Sequence, residues 1–132
     1  MGMKIYFPGN KKVYADFNGF TVQTDQPSFG GGDGTAPAPF DMFLASLGTC
    51  AGIYVKGFCD SRNISAEGIE LEQDIEYDRM KGRISKIILN IKVPESFPLQ
   101  YYDALVRSAS QCAVKKAIQD PPEFEIATIL NK

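Results

Sequence analysis

The length, composition and charge of the chain exclude several classes of protein. Its 132 residues are enough for one domain with a real core but few for two. The formal net charge of −2 gives no positive surface for nucleic acid or an anionic membrane. The chain contains no histidine, which excludes histidine-based catalytic triads and histidine metal sites within one chain. Its three cysteines match no common zinc motif, so we expect neither a metal nor another cofactor.

The sequence also lacks the usual signals for secretion and membrane insertion. No apolar run reaches the roughly 20 residues that a membrane helix needs, because Asp41, Lys56 and Asp60 interrupt the longest candidate. Residues 1–10 lack the basic and apolar regions of a signal peptide. We therefore predict a cytoplasmic protein with reduced thiols and no membrane partner.

The N-terminal segment, residues 3–25, predicts three short strands. Apolar and polar residues alternate there, and Asn18-Gly19 is a strong signal for a two-residue hairpin turn. Residues 26–36, QPSFGGGDGTA, follow as a glycine-rich loop. This loop lacks the Gly-Lys-Ser/Thr ending of a phosphate-binding loop. We therefore interpret it as a mobile connection to the next element.

A long amphipathic helix is predicted over residues 39–62, starting at a proline, which suits a first helical turn. Asp41 suits the positive end of the helix dipole. Cys50 lies in the middle, between Gly48 and Gly52. Because glycine costs about 1 kcal/mol inside a helix, we interpret the two glycines as a sign of close approach by another backbone or a ligand. The apolar stripe consists of Phe40, Phe43, Leu44, Leu47, Ala51, Tyr54, Val55 and Phe58.

The second half of the chain predicts a hairpin, a helix and a strand. Residues 66–93 contain two alternating runs joined by a turn at Gly82, which is typical of a long β-hairpin. Residues 99–118 show helical spacing and carry Cys112 on or beside the apolar stripe. A last strand is predicted over residues 123–130. The order β-β-β-α-β-β-α-β predicts an α+β fold in a single domain, with antiparallel sheets built from hairpins.

The three cysteines differ in the chemistry that is open to them. Cys50 and Cys59 are about 13.5 Å apart along one predicted helix and lie on different faces, so they cannot form a disulfide. We interpret Cys59 as a small buried apolar residue. Cys112 is on another helix, so its distance from Cys50 is free to be short. The residues alone leave two interpretations open, a reactive pair or two unrelated core cysteines.

The charge around the thiols decides their reactivity. Apolar neighbours should raise the pKa of Cys50, because loss of hydration disfavours the thiolate. No arginine precedes Arg62 in the chain. The remaining candidates for an activating positive charge are Lys115, Lys116 and Arg107, all on the second predicted helix.

Two segments give the chain a family resemblance. One is FLASLGTCA, which contains Cys50 and follows the proline that starts the helix, and the other is CAV, which begins at Cys112. With both cysteines on two predicted helices, the chain resembles the OsmC-like superfamily, which includes the organic hydroperoxide resistance (Ohr) proteins. The resemblance covers most of the chain. It implies a compact α+β fold and an intertwined homodimer with two active sites at the subunit interface.

The resemblance also implies a function. In the peroxidase members the first cysteine attacks an organic hydroperoxide, and the second converts the resulting sulfenic acid to a disulfide. An external dithiol such as dihydrolipoamide then reduces this disulfide. These roles fall on Cys50 and Cys112. The implied protein is a thiol-dependent peroxidase for small organic hydroperoxides, acting in oxidative stress defence.

The chain departs from the peroxidase members at two positions. Those members have an arginine in the N-terminal strands or the following loop, and a glutamate just after the helix-initiating proline. Here the N-terminal segment carries only lysines, and Phe40 takes the glutamate position, with Asp41 one residue on. These departures favour an alternative, a non-catalytic dimer that binds a small apolar or thiol-reactive ligand. For either function the candidate pocket residues are Phe40, Asp41, Phe43, Leu47 and Tyr54.

Overall fold

The computed structural model describes residues 2–131 and shows the predicted mixture of α-helices and antiparallel sheets. The chain divides into two compact units at the boundary between Ser46 and Leu47. The first unit holds a three-stranded sheet, and the second holds a two-stranded sheet and two short helices. One long helix runs through the boundary. The predicted α+β class is therefore confirmed.

The first sheet is an antiparallel meander of β1 (Lys4–Gly9), β2 (Lys12–Phe17) and β3 (Phe20–Thr24). Asn18 and Gly19 have φ angles of 49° and 79°, which supply the left-handed backbone that a tight hairpin turn requires. The three strands were predicted from their alternation, and the structure confirms them. Large apolar side chains of this sheet that remain exposed are Ile5, Phe7 and Phe20.

The glycine-rich segment 26–36 is held by hydrogen bonds, so the prediction of a mobile loop is wrong. Its anchor is Asp25, whose fully buried carboxylate accepts the N–H of Gln26 at 2.7 Å and both the N–H and the hydroxyl of Thr35 at 3.0 and 2.7 Å. The hydroxyl of Thr35 is the largest cause of the lowered pKa of Asp25. Gly32 must be glycine, because a Cβ there would lie 2.0 Å from the carbonyl oxygen of Gln26.

The central helix α1 (Pro39–Ser61) is confirmed to within one residue of its predicted end. The close approach predicted around its glycines holds for Gly48, where a Cβ would lie 3.0 Å from Oε1 of Gln73. At Gly52 no atom of the described part of this chain would lie within 4 Å of an added Cβ. By length and apolar composition α1 is comparable with a membrane span, a test that the core helix of a soluble protein also passes. Its buried residues are Leu47, Ala51, Val55, Phe58 and Cys59.

The second unit contains the predicted hairpin, formed by β4 (Glu70–Asp78) and β5 (Arg83–Lys92) in antiparallel pairing. Gly82, with φ of 64°, lies in the connecting turn. Partly buried side chains on one face of this hairpin pack against the core of the unit and stabilise it through the apolar surface that they remove from water. That core consists of Ala51, Val55, Phe58, Cys59, Phe97, Leu105, Ala109 and Cys112.

The single helix predicted over residues 99–118 is wrong, because the structure has two helices there. α2 (Tyr102–Ala109) follows a short 3-10 turn, and three residues separate its end from the start of α3 (Ala113–Gln119). Cys112 has a ψ of 120°, outside the helical range, and its Sγ accepts the backbone N–H of Lys115 at 3.4 Å. A side chain that accepts a first-turn N–H stabilises a new helix start, a feature that apolar periodicity does not reveal.

The strand predicted over residues 123–130 is also wrong. Residues 121–131 form neither helix nor strand. A strand needs a partner edge for its backbone N–H and C=O groups, and within residues 2–131 no other strand pairs with this segment. Its large apolar side chains are each at least 80% exposed, namely Phe124, Ile126, Ile129 and Leu130.

Candidate thiol site

The thiols of Cys50 and Cys112 meet in the second unit. Cys50 packs against the core cluster that contains Cys112, and both cysteines are free. Cys50 comes from the middle of α1 and is partly exposed, whereas Cys112 is only 2% exposed. The structure thus brings together the two cysteines that the sequence singled out.

The break before α3 positions Cys112 and the donors around it. Its Sγ lies 3.8 Å from the carbonyl oxygen of Leu47, one turn before Cys50 on α1. The backbone N–H groups that follow Cys112, those of Ala113 and Val114, are near enough to the Cys50 thiol to lower its pKa. One turn of backbone therefore supplies both the second thiol and two hydrogen-bond donors.

These donors lower the pKa of Cys50 below its ordinary value. The N–H of Val114 is the largest cause and the side chain of Cys112 is the next, while burial acts in the opposite direction. A hydrogen bond to the charged form favours the thiolate. The expectation that apolar neighbours would raise the pKa of Cys50 is therefore wrong, because the backbone donors outweigh the loss of hydration.

None of the three candidate cations is among the causes of the lowered pKa of Cys50. Lys115 is half-buried, and it is the backbone N–H of this residue that contacts Cys112. The ammonium of Lys116 donates to Oε1 of Gln111 at 2.8 Å. Arg107 is exposed in the last turn of α2. Sequence reasoning looked for a charged side chain and missed the backbone donors, which residue types do not reveal.

Cys59 is confirmed as a buried apolar residue. It is 0% exposed, and burial is the largest cause of its raised pKa. It lies in the core cluster beside Phe58, near the end of α1. A buried neutral thiol is a poor nucleophile, so Cys59 serves packing.

The candidate pocket residues are spread along α1. Phe40, Asp41 and Phe43 belong to the first unit, where the rings of Phe40 and Phe43 are 5.4 Å apart. Leu47 is buried in the second unit and Tyr54 is exposed there.

A cavity of about 650 Å³ lies entirely within the second unit, and of the predicted pocket residues Leu47 lines it. Cys112 is part of its wall, whereas Cys50 is not among its lining residues. Its apolar walls come from the hairpin and from α2, through side chains such as Ile87, Leu89 and Leu105. The alternation of apolar and polar residues predicted that these side chains lie on apolar faces, but it could not show that a cavity separates the faces. Among residues 2–131 no cluster of side chains suits a metal ion.

Comparison with known proteins agrees with this architecture. A family model described as OsmC-like protein matches residues 31–127. Among curated protein sequences, none matches this chain. A crystal structure described as an osmotic stress induced and detoxification response protein from Psychrobacter arcticus is 20% identical with a TM-score of 0.73, and the match covers 87% of this chain and 85% of that one.

Two further structures share the fold at similar identity. An organic hydroperoxide resistance protein OsmC from Legionella pneumophila is 21% identical with a TM-score of 0.55, over 89% of this chain and 87% of that one. The organic hydroperoxide resistance protein OhrB of Bacillus subtilis is 20% identical with a TM-score of 0.53, over 92% and 93% of the two chains. The family match extends over most of the chain and includes both cysteines of the thiol site, and the chain therefore belongs to the OsmC-like family.

Proposed function

We propose that this protein reduces small organic hydroperoxides, with Cys50 as the attacking thiol and Cys112 as the resolving thiol. The observation that carries the proposal is that these two free thiols lie close together, since Cys50 packs against the core cluster that contains Cys112 and the Cys112 side chain helps to lower the pKa of Cys50. The lowered pKa of Cys50 supports it, because the thiolate is the nucleophile. It also favours this function over the alternative of a non-catalytic binding protein.

The chemistry proceeds in three balanced steps. The Cys50 thiolate attacks the terminal oxygen of the hydroperoxide, the O–O bond breaks, and an alcohol leaves after taking up a proton. Cys50 is now a sulfenic acid. The sulfur of Cys112 displaces its hydroxyl, which leaves as water with the Cys112 proton, and a disulfide forms. A dithiol of the dihydrolipoamide type then returns two electrons and two protons by thiol–disulfide exchange.

The backbone donors explain how the site works without an arginine in the N-terminal strands. The N–H groups of Ala113 and Val114 stabilise negative charge on Cys50 and remain donors at every pH, since they do not titrate. They also stay next to Cys112, because they follow it directly in the chain. Phe40 at the family's glutamate position is consistent with this arrangement, since there is no arginine for a glutamate to hold.

We further propose that the protein acts as a homodimer in a reducing compartment such as the cytoplasm. Large apolar side chains stay exposed in each unit, including Phe7 in the first sheet, Ile53 on α1 and Ile126 in the C-terminal segment. Exposed apolar groups of this number are typical of surfaces that a partner covers. In a two-fold dimer the same residues of both subunits would be covered.

Peroxide consumption with a dithiol tests the proposal directly. Wild-type protein should consume tert-butyl hydroperoxide over many turnovers with dithiothreitol, and Cys50→Ser should consume none. Cys112→Ser should form a sulfenic acid that dimedone traps but no intramolecular disulfide. Cys59→Ser is the matched control and should behave as wild type. If wild type consumes no more peroxide than Cys50→Ser, the protein is not a thiol peroxidase.

A further inference from the structure

The cavity in the second unit is built as a ligand site. Its volume of about 650 Å³ is in the range of small-molecule sites, which are mostly apolar with a few polar groups. It is a cleft that is open to solvent, so a ligand can reach its walls. The polar groups of this cavity are Gln73, Asn90, Ser110 and Gln119, together with the thiol-bearing Cys112.

The charge in this cavity has one sign. Among residues 2–131, Lys115 is the one charged side chain in the lining, and no carboxylate lines the wall. Lys115 is half-buried and stands on α3, where its backbone is fixed by the N–H bond to Cys112. The protein as a whole carries a net charge of −2, so a positive charge here is local to the cavity. An ammonium at the wall of an apolar cavity favours a ligand with one negative group.

We propose that this cavity binds a small amphipathic monoanion. Its apolar body lies against the hairpin and α2, including Leu89 and Leu105, and its anionic group pairs with the ammonium of Lys115. Cys50 does not line the cavity, so this binding needs no peroxide chemistry and goes beyond the proposed function.

Calorimetric titration of the full chain with decanoate tests the proposal, with the uncharged decanamide as the matched probe. All titrations use protein that carries Cys50→Ser, so a failure of the peroxidase proposal does not affect the result. We expect one decanoate per chain and weaker binding of decanamide. Lys115→Gln should weaken decanoate binding about tenfold, the size of one charge-assisted hydrogen bond, and leave decanamide binding unchanged.

Two further variants keep the test independent of Lys115. Val106 lines the cavity and is 57% exposed, so Val106→Glu places a negative charge at the rim without disturbing the core. It should weaken decanoate binding and spare decanamide. Lys116→Gln is the control, because Lys116 is exposed, bonds to Gln111 and does not line the cavity.

The position of the bound probe completes the experiment. Backbone amide shifts on adding decanoate should concentrate on β5, α2 and α3. Equal affinity for decanoate and decanamide, both in the Cys50→Ser protein and after Lys115→Gln is added to it, would overturn the proposal. Several weak sites per chain, with shifts spread over the exposed apolar residues of both units, would also overturn it.

Discussion

The Sγ of Cys112 lies 3.8 Å from the carbonyl oxygen of Leu47, one helical turn before Cys50 on α1. This contact fixes the start of α3 against the central helix. Because Ala113 and Val114 follow directly, their N–H groups are delivered to the Cys50 thiol by the same contact. The second cysteine therefore positions the donors that lower the pKa of the first.

Mild oxidation should join Cys50 to Cys112. Cys50 packs against the core cluster that contains Cys112, and the Cys112 side chain helps to lower the pKa of Cys50, so we expect the two sulfurs to be close enough for a disulfide. Peptide mapping by mass spectrometry after one equivalent of hydroperoxide should find this bridge in wild type and in Cys59→Ser alike. A dominant bridge that contains Cys59 would contradict the assignment.

The alkylation of Cys50 should begin at lower pH in the folded protein than in the unfolded chain. Its pKa is lowered in the folded state, so the thiolate persists as the pH falls below the ordinary range for thiols. The measurement is the rate of iodoacetamide labelling of the Cys50 peptide against pH, with the chain in urea as the reference. The same midpoint in both states would show that the backbone donors do not act.

Asp25→Asn should remove part of the acid sensitivity of folding. The folded-state pKa of Asp25 is lowered, so its carboxylate stabilises the fold above the unfolded aspartate range, near pH 4. This stabilisation is lost as the pH falls through the folded-state value. Urea unfolding should show the variant less stable than wild type at pH 7, with the difference shrinking towards pH 2. The exposed Asp120→Asn is the control, and a difference independent of pH would contradict the prediction.

The two glycines beside Cys50 should respond differently to alanine. An added Cβ at Gly52 meets no atom within 4 Å, so Gly52→Ala should raise the free energy of unfolding by about 1 kcal/mol through helix propensity. At Gly48 the Cβ would lie 3.0 Å from Oε1 of Gln73, so Gly48→Ala should gain less or lose stability. Thermal and urea unfolding of both variants check this, and equal gains would show that Gln73 moves aside freely.

Ile53, an exposed apolar residue of α1, should stabilise a dimer. Ile53 is 64% exposed, so Ile53→Asp should leave the monomer folded while weakening self-association. Light scattering and sedimentation at micromolar concentration measure the effect. Lys86→Asp is the control, because Lys86 is an exposed polar residue of β5. A wild-type protein that is monomeric in these measurements would end the dimer proposal.

Signals between neighbouring residues were enough to predict several helices and strands of this protein. Asn18-Gly19 and the alternation around it predicted the first sheet, and the apolar stripe with its initiating proline predicted α1, because turn chemistry and side-chain period depend on nearby residues. The two cysteine segments also identified the thiol pair, since the family resemblance joins residues that are far apart in the chain.

The packing of these elements against one another depends on contacts between segments that are distant in the sequence. The break at Cys112, the N–H groups aimed at Cys50 and the cavity beside Lys115 all arise from contacts between distant segments. Backbone donors carry no residue-type signal, since every residue except proline has one, so the cause of the lowered pKa of Cys50 was not readable from residue types. The segment 123–130 also shows that tertiary contacts can override a signal in the sequence. Its composition suits a strand, but a strand forms only where another edge accepts its hydrogen bonds.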